Sequence, residues 1–321
     1  MQNTVTSRGL TNIQTAVLEC IVYSDLFDFP QAPEEILRWL RIPATHKDVE
    51  AALESEPLAS MLSVAAPFVT LRGREAIVAL RERRRVSSAT LQRNAERYGG
   101  LIARLPFVRM VALTGSLAVE NADDNDDLDY LIVTAPGRVW LTRAMIMAIG
   151  RIAALRGVTL CPNYLLAETA LALPEHDSYT ARELLQMRPL AGLATHEHML
   201  KANAWWQNYL PNAGRTGHSV VPEHAGALPA GHGLTRRIAE ALLRLPPFDA
   251  LERWILARKG AELRRQAGGP EAVFDETMCK GHFEAWKEHT RRRLEARLRE
   301  LQPKLQDSSC SGHRGPLESM P

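Results

Sequence analysis

Val108–Thr134 reads VRMVALTGSLAVENADDNDDLDYLIVT, and its two apolar runs, separated by an acidic turn, decide how the chain is read. Val108 to Leu113 is short, mostly apolar and soon followed by Gly115, which predicts a buried strand; Asp127 to Val133 predicts a second. Strand side chains alternate, so Asp127 and Asp129 fall on one face while Leu128, Tyr130 and Ile132 take the other. Unpaired carboxylates are costly inside an apolar strand. A solvated loop therefore suffices for Asp123, Asp124 and Asp126 but not for Asp127 and Asp129. An EF-hand is excluded, because counting from Asp123 the sixth position is Leu128 instead of Gly and the twelfth is Thr134 instead of Glu.

Paired carboxylates suit Mg²⁺, which takes oxygen ligands and is usually held by one or two carboxylates together with substrate phosphates. Gly115-Ser116 offers the complementary half. At a turn from a strand into a short helix, glycine lets the backbone approach a ligand, and the helix start and the Ser116 hydroxyl present donors to phosphate oxygens.

Gly115-Ser116, ten intervening residues and then Asp127-Leu128-Asp129 resemble the hG[GS]…DhDh signature of the DNA polymerase β-like nucleotidyltransferase superfamily. The stretches CPNYLL from Cys161, DSYTARELLQM from Asp177 and NAWWQNYLPN from Asn203 also resemble an uncharacterised bacterial nucleotidyltransferase-domain group, so the likeness runs from Pro106 to Asn212. The resemblance implies a small mixed-sheet nucleotidyltransferase domain within an α+β chain. It implies Mg²⁺ on the catalytic pair Asp127 and Asp129, with Gly115 and Ser116 securing the phosphates of an NTP, ATP being the one expected. The implied reaction transfers a nucleotidyl group to the hydroxyl of an acceptor that the sequence does not identify, and pyrophosphate leaves. Members of the superfamily usually supply a third carboxylate from a neighbouring strand. The strand expected over Val158 to Leu166 has none; alternation groups Thr159, Cys161, Asn163 and Leu165, which puts Asn163 in that place as a metal ligand, with Glu168 the nearest carboxylate beyond. A chain lacking that third group would be a catalytically silent nucleotide-binding or regulatory protein.

At 321 residues and 45% hydrophobic content, the chain is long enough for about two globular domains. Its 39 Lys and Arg against 37 Asp and Glu leave a net charge of +2, which selects neither for nor against nucleic acid. No run approaches the ~18 apolar residues of a membrane span, and the start MQNTVTSRGL lacks a signal-peptide core, so the cytoplasm is the expected compartment and no membrane partner is expected. Four scattered cysteines make no disulfide framework. Cys279-x-x-His282 and Cys310-x-x-His313 have zinc-like spacing, but the second lies in a Ser- and Gly-rich tail and the pair is not favoured as a site.

Towards the N-terminus, apolar residues at Ile13, Val17, Leu18, Ile21 and Val22 predict one helix, Pro33 opens another, and a third runs from Thr45 or Asp48 to Glu54, before a hairpin between Met61 and Leu71. Three helices and a hairpin form a winged-helix-like pattern. Its last helix, THKDVEAALES, sets Asp48, Glu50 and Glu54 against Lys47 and His46, so DNA is not expected as a partner and a DNA-binding regulator is the weaker alternative. A long helix over Arg74 to Arg104 holds Arg81, Arg83, Arg84 and Arg85, read as a solvated face.

A helix over Val139 to Leu155 places Arg143 where it would reach a nucleotide triphosphate, and Pro162 marks the next strand as an edge or bulged one. The helix DSYTARELLQMRPL has its start offered by Asp177, Ser178 or the capping box Thr180-x-x-Glu183, and the box is the preferred reading of Glu183, giving it a structural role. His196 and His198 fall on different sides of the following helix and do not form a metal pair. The expected order is a winged-helix-like module with its connecting helix over 1–104, the nucleotidyltransferase domain over 105–211, a linker over 212–233, C-terminal helices over 234–305 and a disordered tail over 306–321. In those last helices Arg291, Arg292, Arg293, Arg297 and Arg299 alternate with Glu288, Glu295 and Glu300, as on a wet face with ion pairs.

Overall fold

The computed structural model describes residues 10–214, 233–267, 272–281 and 286–310, from 302 onward as backbone alone. They fall into two compact units, neither made from a single stretch of chain. The first draws on 10–82, 208–214 and 288–310, the second on 83–207, 233–267, 272–281 and 286–287.

In the first unit α1 (Asn12–Asp25) starts at Thr11, whose hydroxyl accepts from the Gln14 N–H while the Gln14 side chain accepts from the Thr11 N–H. Pro33 sits in the first turn of α2 (Pro33–Trp39), where its missing N–H costs nothing. Thr45 and Asp48 cap α3 (His46–Glu54) reciprocally, and a short α4 (Leu58–Met61) leads into the antiparallel pair β1 (Leu62–Ala65) and β2 (Phe68–Leu71). Leu18, Ile36, Leu40, Val49 and Leu58 meet in its core. Burying each such side chain stabilises the unit by roughly 1.5–3 kcal/mol.

Helix α5 (Ala76–Ala103) belongs to the first unit up to Glu82 and to the second from Arg83. The solvated arginine face expected on it is only partly present. Arg81 pairs with Glu35 at 2.7 Å and lies over the rings of Phe29 and Phe68, and Arg84 pairs with Asp123 at 2.9 Å.

The second unit is built on a mixed six-stranded sheet. Its strands are β3 (Val108–Leu113), β4 (Leu128–Thr134), β5 (Leu160–Ala167), β6 (Arg188–Ala191), β7 (Val273–Phe274) and β8 (Met278–Lys280), in spatial order β6-β3-β4-β5-β8-β7. Only β4 and β5 run parallel, and α7 (Val139–Ala154) makes the crossover that a parallel pair requires. Between β3 and β4 lies the four-residue α6 (Gly115–Ala118). Helices α8 (Ser178–Gln186) and α9 (Leu193–Ala202) flank β6; α10 (Leu234–Leu242), α11 (Pro246–Ile255) and α12 (Ala261–Gln266) precede β7, and α13 (Trp286–Cys310) follows β8. One face of the sheet buries Val111, Leu113, Tyr130, Ile132 and Leu165 with Trp140 and Ile146 of α7, and the Tyr130 hydroxyl donates to the Ala95 carbonyl of α5 at 2.8 Å.

The sequence reading needs several corrections. The helix expected over DSYTARELLQMRPL stops at Gln186, because Pro189 disfavours the helical region for Arg188, and Arg188–Ala191 pairs with β3 instead. Residues 272–281, read as part of a helical region, supply β7 and β8, too short for a period-two signal. β5 is bulged as expected at Pro162, but it is not an edge strand, since β8 pairs with its free side. The serial division also fails to describe 288–301, where Leu294, Leu298 and Leu301 pack with the core of α1 and α2.

The ion pairs read on α13 are present, with Arg291 bonding Glu288 at 2.8 Å and Glu295 at 2.7 Å. Of the disordered tail expected over 306–321, residues 306–310 instead form the end of α13, because the helix continues past Leu305; 311–321, the stretch 215–232 of the linker, His282 and His313 lie outside the described residues. Among the described residues no helix is long and apolar enough to cross a membrane.

Candidate functional site

β3 and β4 pair antiparallel with Leu113 opposite Tyr130, so everything from Thr114 to Asp127 is the connection between neighbouring strands. That places Gly115 beside Asp129. The Thr114 N–H donates to the Asp129 carbonyl at 3.0 Å, and Gly115 adopts φ +69°, the left-handed region that favours glycine. A Cβ on Gly115 would lie 3.2 Å from Asp129 Cγ and closer still to Oδ2. Glycine is therefore needed twice over, for its backbone angle and for the room it leaves the carboxylate.

Asp127 is exposed and stands one residue before β4, which begins at Leu128 and not at Asp127 as expected. Asp129 is half-buried inside the strand. Burial pushes its carboxyl up to about 6; a hydrogen bond from the Cys161 thiol works against this, and the charges of Asp127 and Asp126 add to it. Cys161 is the residue paired with Asp129 across β4 and β5. Its own thiol is pushed up to about 12 by burial and by the Asp129 charge.

Ser116 was expected to offer its hydroxyl to phosphate. The structure ties it to the loop: Ser116 Oγ donates to Asp126 Oδ2 at 2.8 Å, and the Asp123 N–H donates to the same oxygen at 3.2 Å. Arg84 holds Asp123 and Asn121, and the Ala122 N–H donates to Ser88 Oγ. The acidic turn is thus anchored to α5 within the second unit.

Asn163 does not take the place that alternation gave it. The β4–β5 register shifts between Asp129↔Cys161 and Leu131↔Tyr164, so the bulge at Pro162-Asn163 reverses the parity of the strand. Past it Tyr164 shares the Asp129 face and Leu165 turns to the other. Glu168 is also remote: its N–H donates to the Thr134 carbonyl at the opposite end of the parallel pair and its carboxylate lies 3.8 Å from Arg109. Five residues of strand separate Thr134 from Asp129, roughly 17 Å.

The carboxylate on which the charge of Asp129 acts is Glu183. It is half-buried on α8, and burial followed by the charge of Asp129 raises it to about 7 against the opposing charge of Arg182. The capping-box reading of Glu183 fails because the helix starts earlier, at Asp177, whose Oδ1 accepts the Thr180 N–H at 2.9 Å. With Asp177 as the cap, Glu183 lies beyond the first turn and cannot close the box. Asp177 was one of the helix starts open in the sequence; choosing it would have released Glu183. No local pattern pointed to Cys161 opposite the second aspartate.

Arg143 lies beside two thiols: it hydrogen-bonds Cys279 and its charge acts on Cys161, while its Nε is buried without a partner among the described residues. His196 is fully buried, with its imidazole pushed down to about 4 by burial, while His198 is exposed, so they form no metal pair.

Among the described residues no three His, Cys, Asp or Glu side chains make a ready metal cage. The donor set nonetheless fits a hard cation, because it consists of carboxylate oxygens: the charges of Asp127 and Asp126 add to the raising of Asp129, and the charge of Asp129 adds to the raising of Glu183. Comparison of the chain with family models, with curated proteins and with solved structures gives no match.

The clustering has a pH signature. A carboxylate raised in the folded state costs no stability below its unfolded value, near 4, and the cost grows as pH rises through the folded value, here about 6 for Asp129. In metal-free buffer Asp129→Asn is expected to be more stable than wild type by about 1–3 kcal/mol at about pH 8 and equal to it at about pH 4. Urea denaturation at the two pH values checks this, and equal stability of the two proteins at the higher pH would refute the clustering.

Proposed function

We propose that the second unit is a nucleotidyltransferase domain of the polymerase β-like kind, transferring a nucleotidyl group from Mg–NTP, with ATP first, to an acceptor hydroxyl. The observation that supports this most is the close fit of Gly115 against the Asp129 carboxylate, which joins the expected phosphate turn to the expected metal ligand. Asp127 and Asp129 would hold Mg²⁺, which when bound supplies charge neutralisation along the triphosphate. Gly115 leaves the approach to the phosphates open. Glu183, poised near neutrality by burial and by Asp129, takes the proton of the acceptor hydroxyl. The freed oxygen pair forms the new bond to the α-phosphorus in line with the α–β bridging oxygen, whose bond breaks and whose electrons leave with pyrophosphate.

The test is transfer of α-labelled ATP in Mg²⁺ to a panel of small-molecule, protein and RNA acceptors, with Mg–ATP binding measured alongside. Asp129→Asn should lose both binding and transfer while remaining folded. Binding by the variant at wild-type affinity would refute the site; binding without any transfer by the wild type would favour a silent nucleotide-binding protein.

For the first unit we propose a winged-helix-like module used for packing or for a protein partner. Several of its cations are already engaged: Arg74 with Asp25 and Asp28, Arg81 with Glu35, and His46 of α3 with Glu34 and Glu50. Duplex DNA is therefore expected to bind weakly at physiological salt, and submicromolar binding with a steep salt dependence would overturn this.

A further inference from the structure

Helix α10 is docked back to front. A surface helix ordinarily turns its apolar stripe to the core and its polar face to water. Here the polar side faces inward: Arg236 donates to the carbonyls of Ala103 and Val108 and pairs with Glu240, and Glu240 accepts the Phe107 N–H at 2.8 Å and pairs with Arg109 at 3.0 Å. The stripe left outside is Leu234, Ile238 and Leu242, 72%, 51% and 57% exposed, continued by Leu245 at 51%. At 100° per residue the three on α10 share a sector of about 80°, and Leu245 follows in the turn into α11. On α11 Trp254 is 57% exposed, while Glu252 turns inward to accept the N–H groups of Trp140 and Leu141 at the start of α7.

The charges sort the same way. The three carboxylates between 233 and 258 are all engaged with the unit itself, Glu240 and Glu252 as above and Asp249 with Arg138. The outward positive charges of that stretch are Arg237, Arg244, Arg253 and Arg258, with Arg237 on α10 beside the leucine stripe and Arg244 in the turn just past the end of the helix. A leucine and tryptophan face accompanied by outward arginines, with its carboxylates engaged by the unit itself, is the pattern of a helix lying in a lipid interface.

We propose that α10 and α11 form a peripheral attachment surface for a membrane that carries anionic lipids. Two alternatives fit the chemistry less well. A second copy would bring two sets of arginines together with only the Arg138-paired Asp249 of that stretch partly exposed to meet them, and a nucleic acid would engage the arginines and leave the leucines in water. The absence of a membrane-spanning run, on which the expectation of no membrane partner rests, does not bear on a helix lying in the interface plane.

The experiment is flotation of the full chain with vesicles of phosphatidylcholine alone and of phosphatidylcholine with phosphatidylglycerol, at low and high salt. Wild type should float with the anionic vesicles and not with the neutral ones, less so in high salt. Ile238→Asp with Leu242→Asp should abolish flotation, and Arg237→Glu with Arg244→Glu should weaken it about 5-fold or more for each arginine lost. All four side chains point outward, so thermal melting should be unchanged in both variants. Wild type that ignores anionic vesicles overturns the proposal, as does flotation untouched by the aspartates. A wild-type dimer in vesicle-free buffer that the aspartates split would overturn it in favour of a second copy.

Discussion

Glu183→Gln is expected to slow nucleotidyl transfer by about 10²–10⁴-fold, the loss typical of a missing general base, while Mg–ATP affinity stays within several-fold. Glutamine keeps the shape and the burial of the side chain on α8 but cannot take a proton. Glu168→Gln serves as the internal control. Its carboxylate sits beside Arg109 at the far end of the β4–β5 pair, so its rate should match wild type. Single-turnover transfer by the three proteins, with one nucleotide and one acceptor, separates the outcomes. A wild-type rate in Glu183→Gln would remove Glu183 from the chemistry, and a loss in Glu168→Gln instead would mean that the strands are read in the wrong order.

Gly115→Ala should be the most damaging small change in the second unit. Alanine at φ +69° costs roughly 1–2 kcal/mol for the left-handed conformation alone. Its methyl group also occupies the space of the Asp129 carboxylate, which must rotate away or push α6 off the sheet. The expected result is a loss of about 1–3 kcal/mol in stability together with loss of Mg–ATP binding. A double-mutant cycle with Asp129→Ala distinguishes the two causes. Truncating the aspartate removes the carboxylate that the methyl group meets, so the cost of Gly115→Ala should fall by about 1 kcal/mol or more in that background. Additive effects in denaturation would show that the conformational penalty acts alone.

The parts of the fold legible in the sequence are those set by neighbours along the chain. Thr45 and Asp48 cap α3 from within a single turn, Pro33 opens α2, and Val108–Leu113 and Tyr130–Val133 reveal β3 and β4 because burial on both faces makes an apolar run. That Gly115 and Asp129 lie on consecutive elements was also legible, whereas their close approach depends on the antiparallel pairing of β3 with β4. What escaped is whatever depends on distant pairing. β7 and β8 have two and three residues and exist because β5 offers a free edge. The face of Asn163 was misjudged because one bulge residue inverts every later side chain. Glu183 was hidden because the sequence offers helix starts at Asp177, Ser178 and Thr180, and the last of these gives it a sufficient local role.

The pairing of β8 with β5 also bears on how the protein is made. Leu165 and Cys279 are partners in the sheet, yet more than a third of the chain is synthesised between them. On a ribosome β3, β4, β5 and β6 emerge early, and the outer side of β5 remains an open edge, with unpaired N–H and C=O groups over Tyr164–Leu166, until residues 278–280 arrive. During that interval the nascent chain presents an apolar strand to any other strand nearby, and contacts so distant in sequence close slowly. Translation speed through 212–280 and the availability of a holding chaperone would therefore set the yield of soluble protein, independently of how stable the finished sheet is.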